Sequence, residues 1–379
     1  MGLNHQFMNH WKYADWWGAP KGSTVTLGEG GTPLIRSAKL GPEMGLGQLW
    51  FKYEGANPSG SYKDRFAAAA VSHLVQDGRR VCLGTSSGNT GAALAAYCAR
   101  AGLSCFLAIV EGAPEGKLRQ MLAHGAHLIR IRSFGSSPEI SARVMEGLKG
   151  LAAEMEAGLE ISAFAFSPRG MAGVMTISFE IAESLGPRDV HVFSPAGGGG
   201  LTWAVARGFE FLAGQKGWQG RARVHCVQPE GNDTIASALR DGSGQARAVE
   251  SRTAVSGLQV GGVLDGDGVI ASCRRSGGQG HVVTDAQVWE WQARMAREEG
   301  IFCEPAGAVA LAGVAAAVGR GEIGPQDPVV CLVTGSGFKD ERSLVRMIGS
   351  AGAPLVDDFA AFSSAVRHAA GRRDPENVP

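Results

Sequence analysis

The stretch "NPSGSYKDRFAAAA", Asn57 to Ala70, puts a lysine where a Gly/Ser-rich turn meets an alanine run. Alanine is the best helix former, so Phe66 to Val71 reads as the opening of a helix. Lys63 then stands at or near the helix N-terminus, where exposed N–H groups favour anions and disfavour an ammonium. A lysine so placed is helped toward its neutral, nucleophilic amine. The plainer reading is a solvated charged turn of Lys63, Asp64 and Arg65, with Asp64 suiting the helix dipole. Taken alone, the stretch favours the plainer reading.

Three further turns could hold chemistry. "GTSSGNTG", Gly84 to Gly91, lies between an apolar strand and a helical pattern. Its hydroxyls, its amide and its bare N–H groups suit a carboxylate at a helix N-terminus. Gly84, Ser86 and Gly88 also satisfy G-x-S-x-G, which keeps a Ser86 hydrolase in play; the bland alternative is an N-capped helix. "PAGGGG", Pro195 to Gly200, follows "DVHVFS" and precedes "LTWAVARGFEFL". Four consecutive glycines, Gly197, Gly198, Gly199 and Gly200, let backbone N–H groups converge on an anion, which favours a phosphate cradle over a merely flexible turn. In "VVCLVTGSGFKD", Thr334 ends a buried strand, a place where threonine is at home without any function. A lysine nucleophile, a phosphate cradle, a carboxylate-binding loop and a hydroxyl at a strand end together describe a pyridoxal 5'-phosphate site.

The elements that must position these residues read as repeated β–turn–α units. "RVCLG", "LSCFLAIV", "AHLIRI", "DVHVFS", "RVHCVQ" and "PVVCLV" are strands, mostly followed by a glycine-bearing turn and a helical pattern. Such repetition predicts an α/β fold of open, mostly parallel sheets covered on both faces, with ligands beyond the carboxyl ends of the strands. Loops are expected near 132–139 and over the Gly-rich stretch from about 241 to 280. Lys plus Arg equals Asp plus Glu at 36 each, so the net charge of +0 argues against a nucleic-acid or membrane-surface protein held by charge. The seven cysteines are scattered with no C-x-x-C, which predicts no disulfide framework, no zinc site and a reducing cytoplasm. No H-E-x-x-H occurs, and no metal is expected.

At these motifs the sequence resembles the threonine-synthase branch of the fold-type II pyridoxal phosphate enzymes, the tryptophan synthase β superfamily. The resemblance starts at "LGEGGTPLIR", runs through "LWFKYEGANPSGSYKDR" and "SSGNTGAALAAYCARAG", and ends with "CEPAGAVALAG" and "LVTGSGFKD". It implies that Lys63 carries the cofactor and then serves as base and acid at the substrate's Cα. It implies that Asn89 bonds the cofactor's 3′-oxygen, that Gly197 to Gly200 bind its phosphate, and that Thr334 faces the ring nitrogen. Ser86, Ser87 and Thr90 would hold the carboxylate of a small L-amino acid, and the chemistry would be elimination or replacement at its side chain. A large domain from 1–56 plus 166–365, an inserted small domain from 57–165, a disordered tail over 366–379 and a homodimer are expected. One departure bears on the substrate. Threonine synthases resemble "N-S-x-N-P-[FY]-R-[LI]-E-G-Q-K-T" where this chain reads "FAFSPRGMAGVMTISFEI" from Phe164. Their phosphate-gripping arginine becomes Gly170, and Arg169, one residue early, is the candidate to compensate. O-phosphohomoserine is therefore not the expected preferred substrate, with true threonine synthase or threonine/serine dehydratase as the alternatives.

Overall fold

The computed structural model describes residues 9–113, 115–215 and 218–371. Its strands are β1 (Leu34–Arg36), β2 (Leu49–Tyr53), β3 (Val81–Thr85), β4 (Ser104–Val110) and β5 (His127–Ile131). They continue with β6 (Gly158–Leu159), β7 (Val190–Pro195), β8 (Ala222–Pro229), β9 (Gly280–Val283) and β10 (Val329–Val333). Two sheets result, ordered β1-β2-β10-β7-β8-β9 and β5-β4-β3-β6. Among the strands of the described residues, β1 and β2 pair antiparallel and the other pairings are parallel. All residues of β7 and β10 are buried, and β10 accordingly reads as an unbroken apolar run, whereas β7 buries His191 and Ser194 among its apolar residues.

Seven helices matter below: α1 (Lys63–Gln76), α2 (Asn89–Ala101), α3 (Pro168–Val174), α4 (Gly200–Ala213), α5 (Gly266–Ser276), α6 (Pro305–Gly319) and α7 (Phe359–Ala370). The alanine run of α1 is wholly buried. Small side chains there let α3 approach closely: a Cβ on Gly173 would stand 2.6 Å from the Arg65 carbonyl oxygen, and one on Gly170 would stand 2.8 Å from Phe66. The Gly-rich stretch expected as loop contains α5. Its glycines, poor helix formers, are required by packing, since a Cβ on Gly266 would meet Ala246 at 2.6 Å and one on Gly268 would meet Trp203 at 2.5 Å. The expected loop near 132–139 gives way at Pro138 to a helix capped by Ser137, whose side chain accepts from the Ile140 N–H.

One compact unit runs to Ser343 and a second begins at Leu344, so residues 344–365 fall outside the unit that holds both sheets. The second unit contains α7, in which no residue is buried. Residues 366–370, expected in a disordered tail, are helical because Asp358 caps α7 and Arg367 and His368 sit in its last turn. Residues 372–379 lie outside the described residues. The seven cysteines are free and buried. No helix among the described residues is long and apolar enough to cross a membrane.

Candidate active site

Lys63 opens α1, and the turn before it is stitched to the end of β10. Tyr62 N–H donates to the Thr334 carbonyl (3.0 Å), Ser336 N–H donates to the Gly60 carbonyl (2.9 Å), and Ser61 bridges Gly335. Gly60 sits at φ +91°, a turn conformation that other residues rarely adopt. Asp64 accepts from Ser59 N–H (2.8 Å) and Ser59 Oγ–H (2.6 Å), which closes the turn from the other side. Thr334, at the strand end, is thereby brought beside the lysine turn, although the two lie far apart in sequence.

The Lys63 amine has no ion pair among the described residues. It donates to the Tyr62 hydroxyl and lies 4.2 Å from the centroid of that ring. Burial pushes its pKa down to about 7, against the fields of Glu304 and Asp265, which pull the other way. Desolvation is the largest cause. Burial also pushes the Tyr62 hydroxyl well above the usual phenol range, so it stays neutral.

Asn89 begins α2 and donates to both oxygens of Glu304, at 2.9 and 3.1 Å. The Thr334 hydroxyl donates to the same Glu304 Oε1 at 3.3 Å. One buried carboxyl thus joins the expected partners of the 3′-oxygen and of the ring nitrogen. Burial raises its pKa, with the Asn89 amide opposing. Room for Glu304 depends on Gly335, whose Cβ would stand 2.5 Å from Oε1. Glu304 was missed because, one residue before the proline that opens α6, it reads as an ordinary partner of the helix dipole.

The cradle and the hydroxyl loop converge on Ser162. The hydroxyls of Ser162 and Thr90 are 2.9 Å apart, and a Cβ on Gly200 would stand 3.0 Å from the Ser162 carbonyl oxygen. Gly199 has φ +98°, and Cβ atoms on Gly198 and Gly199 would meet Leu264 at 2.9 Å and Val269 at 2.8 Å. Gly197 accepts from the Gln228 amide at 3.2 Å. Asp265, buried among backbone donors, accepts from Phe164 N–H (2.8 Å) and Ala165 N–H (3.1 Å) and borders Gly200. Burial raises its pKa. Ser86 accepts from Gly88 N–H at 3.1 Å, and Ser87 is part-exposed on the same loop. Met121 and the Ser86 carbonyl leave space only for a glycine at position 91.

Arg169 is not part of this constellation. It pairs with Asp77 at the opposite end of α1, and position 170 admits no side chain against Phe66.

The residues present fit pyridoxal phosphate. An unpaired lysine with a near-neutral amine, a glycine-only turn opening a helix, and polar side chains from separate segments meet in one place. A family profile described as "Pyridoxal-phosphate dependent enzyme" matches residues 25–335. The threonine synthase of Halalkalibacterium halodurans is 33% identical over 340 residues, covering 89% of this chain and 91% of that protein. That of Methanocaldococcus jannaschii is also 33% identical, covering 89% and 82%. Among solved structures, the processed threonine deaminase isoform 2 of Solanum lycopersicum superposes with TM-score 0.70 at 21% identity, covering 91% of this chain and 94% of that one. The diaminopropionate ammonia lyase of Escherichia coli does so with TM-score 0.72 at 17% identity, covering 91% and 93%. These two likenesses concern the fold, and the sheets and strand-end turns of this chain agree with it. The Ser86 hydrolase falls away, and the chain belongs to the pyridoxal-phosphate-dependent enzyme family, with threonine synthases among its relatives.

Proposed function

We propose that Lys63 carries the cofactor and moves the proton at Cα while the chain eliminates or replaces a side-chain substituent of a small L-amino acid. The observation that carries this reading is the buried Lys63 amine, unpaired by any carboxylate and brought to about 7. An amine poised near neutrality can both accept a proton and return it. Bound there, pyridoxal phosphate supplies the electron sink that acidifies Cα–H. Asn89 would orient the ring through its 3′-oxygen, and Thr334 would meet the ring nitrogen, both held by Glu304. A neutral hydroxyl cannot protonate the nitrogen as a carboxylate could, which favours chemistry at the side chain over transamination. Ser86, Ser87 and Thr90, with the N–H groups opening α2, would hold the substrate carboxylate. Residues 57–165 would act as the smaller domain and exclude water on closing, in a homodimer.

The preferred substrate is proposed to lack a phosphate leaving group. A desolvated phosphate needs charge-assisted partners. In the 164–175 segment, Phe164 packs edge-on against Trp203, Gly170 is closed against Phe66, and Arg169 is engaged by Asp77. A second reading, threonine formation from O-phosphohomoserine, is favoured by the 33% identity to threonine synthases and by Arg207, which lies 4.7 Å from the Phe164 ring centroid. Steady-state assays of O-phosphohomoserine beside serine, threonine, phosphoserine and acetylserine separate the two. The first reading predicts a higher kcat/KM for an unphosphorylated substrate. The highest kcat/KM for O-phosphohomoserine, with threonine as product, would establish the second.

A further inference from the structure

A cavity of about 230 Å³ lies between the C-terminal end of α1, the first turn of α3 and the edge strand β6. His73, on its wall, is ten residues along α1 from Lys63, or roughly 15 Å at the helical rise. The cavity is therefore separate from the site described above. Its walls combine the apolar Ala70, Leu74 and Phe166 with His73, Asp77, Arg79, Glu160 and Arg169. Most of these polar groups have partners. Arg169 bonds Asp77 and stands 3.5 Å from His73 Nδ1, and Arg79 gives one N–H to the Glu156 carbonyl at 2.8 Å. Glu160 is satisfied only in part: Ser167 hydrogen-bonds its carboxyl, yet the residue is 9% exposed and its Oε2 is buried with no partner.

We propose that this cavity binds a small zwitterionic α-amino acid, with its ammonium on Glu160, its carboxylate toward Arg79 and its side chain against the apolar wall. An unsatisfied buried carboxyl oxygen is costly, and a ligand that donates to it removes that cost. Burial holds the Glu160 carboxyl at about 7, with Ser167 and Arg169 opposing only in part. The charge pattern selects the class. A phosphate dianion would face both Asp77 and Glu160, and no His/Cys/Asp/Glu cluster among the described residues could hold a metal ion. A plain amine would leave Arg79 unanswered, and a plain carboxylate would leave Glu160 unanswered.

The same segment reaches the active site. Glu160 N–H donates to the Leu83 carbonyl at 2.8 Å, and two residues on, Ser162 meets Thr90. Occupancy of the cavity is thus joined by a short length of chain to the loop proposed to hold the substrate carboxylate.

The test is equilibrium dialysis of radiolabelled alanine, valine and threonine onto borohydride-reduced holoenzyme, in which the cofactor no longer exchanges with amines. The expected result is one amino acid per chain, with ethylamine and propionate binding at least about tenfold more weakly. Glu160→Gln and, independently, the rim substitution Ala157→Phe should each weaken binding by about tenfold or more, with circular dichroism and reduced-cofactor absorbance unchanged. If Glu160→Gln does not fold, Ala157→Phe decides alone. No saturable binding to the reduced enzyme, or unchanged affinity in a folded variant, would overturn the proposal.

Discussion

Two cations share the first turn of α1, and the protein treats them in opposite ways. Arg65 is met on all sides by acceptors. Nε and Nη2 donate to Glu54 at 2.8 Å each, Nη1 and Nη2 donate to Glu180 at 2.6 and 2.8 Å, and Thr176 takes another bond at 3.0 Å. Lys52 completes the cluster by donating to Glu180 at 2.6 Å. Burial pushes the Glu54 and Glu180 carboxyls up, yet Arg65 and Lys52 overcome it and hold both below the usual carboxylate range. Two positive and two negative groups balance, and Arg65 stays charged. Lys63, two residues earlier, is enclosed without a carboxylate in contact, and its amine falls to about 7. Buried among balancing carboxylates Arg65 stays ionised, and enclosed with no carboxylate in contact Lys63 yields its proton near neutrality. Arginine suits the first role because its fork binds two carboxylates, and lysine suits the second because its pKa yields.

The largest effect should come from removing the unpaired member. Lys63→Ala should lower turnover by about a thousandfold or more while the far-UV spectrum of the cofactor-free protein stays close to that of the wild type. Substantial turnover by the variant would show that the two cations do not differ as described.

Breaking the paired side should act on stability instead. Glu180→Ala leaves Arg65 and Lys52 short of a partner in the interior and should cost about 3–5 kcal/mol in denaturant unfolding. A loss below about 1 kcal/mol would place the cluster with exposed ion pairs of little consequence.

The pH dependence of stability sharpens the contrast. Lys63 has a folded pKa near 7, below its ordinary unfolded value, so the unfolded chain binds the extra proton between the two. The penalty for burying this amine is full below about pH 7 and fades as pH rises toward the unfolded value. Cofactor-free Lys63→Met should therefore be more stable than wild type near pH 6, with the gap closing by about pH 10. A constant gap across that range, read by urea unfolding, would contradict a depressed lysine.

The smallest effect is expected at Thr334. Thr334→Ser keeps the hydroxyl and should change kcat/KM by less than about threefold, within the worth of one neutral hydrogen bond. Thr334→Asp should raise the share of abortive transamination, read as the ratio of keto acid to elimination product under single-turnover conditions. An unchanged ratio would remove Thr334 from the ring nitrogen.

Much of the frame was legible because buried parallel strands leave apolar runs, continuous in Val329–Val333 and interrupted only by His191 and Ser194 in Val190–Pro195. The lysine turn, the glycine run and the hydroxyl loop were legible because each is local. Helix Gly266–Ser276 was not, since Gly266 and Gly268 answer to Ala246 and Trp203, partners that no local pattern reveals. Asp265, hidden in the same stretch, is held by the Phe164 and Ala165 N–H groups about a hundred residues away in sequence. Glu304 joins Asn89 to Thr334 across three chain segments, and the Arg65 cluster draws on three more. Arg169 shows the reverse error: it stands one residue from the position of interest in sequence, but its partner Asp77 holds it at the far end of α1.

The most direct test is to reduce the holoenzyme with borohydride, digest it and locate the cofactor by peptide mass spectrometry. Three lysines compete for it, because desolvation also lowers the pKa of Lys52, bonded to Glu180, and of Lys339, bonded to Gln120 at 2.6 Å. The account predicts that the added mass lies on the peptide containing Lys63 and that Lys63→Ala abolishes it. Cofactor found on Lys52 or Lys339 in the wild-type protein would contradict it.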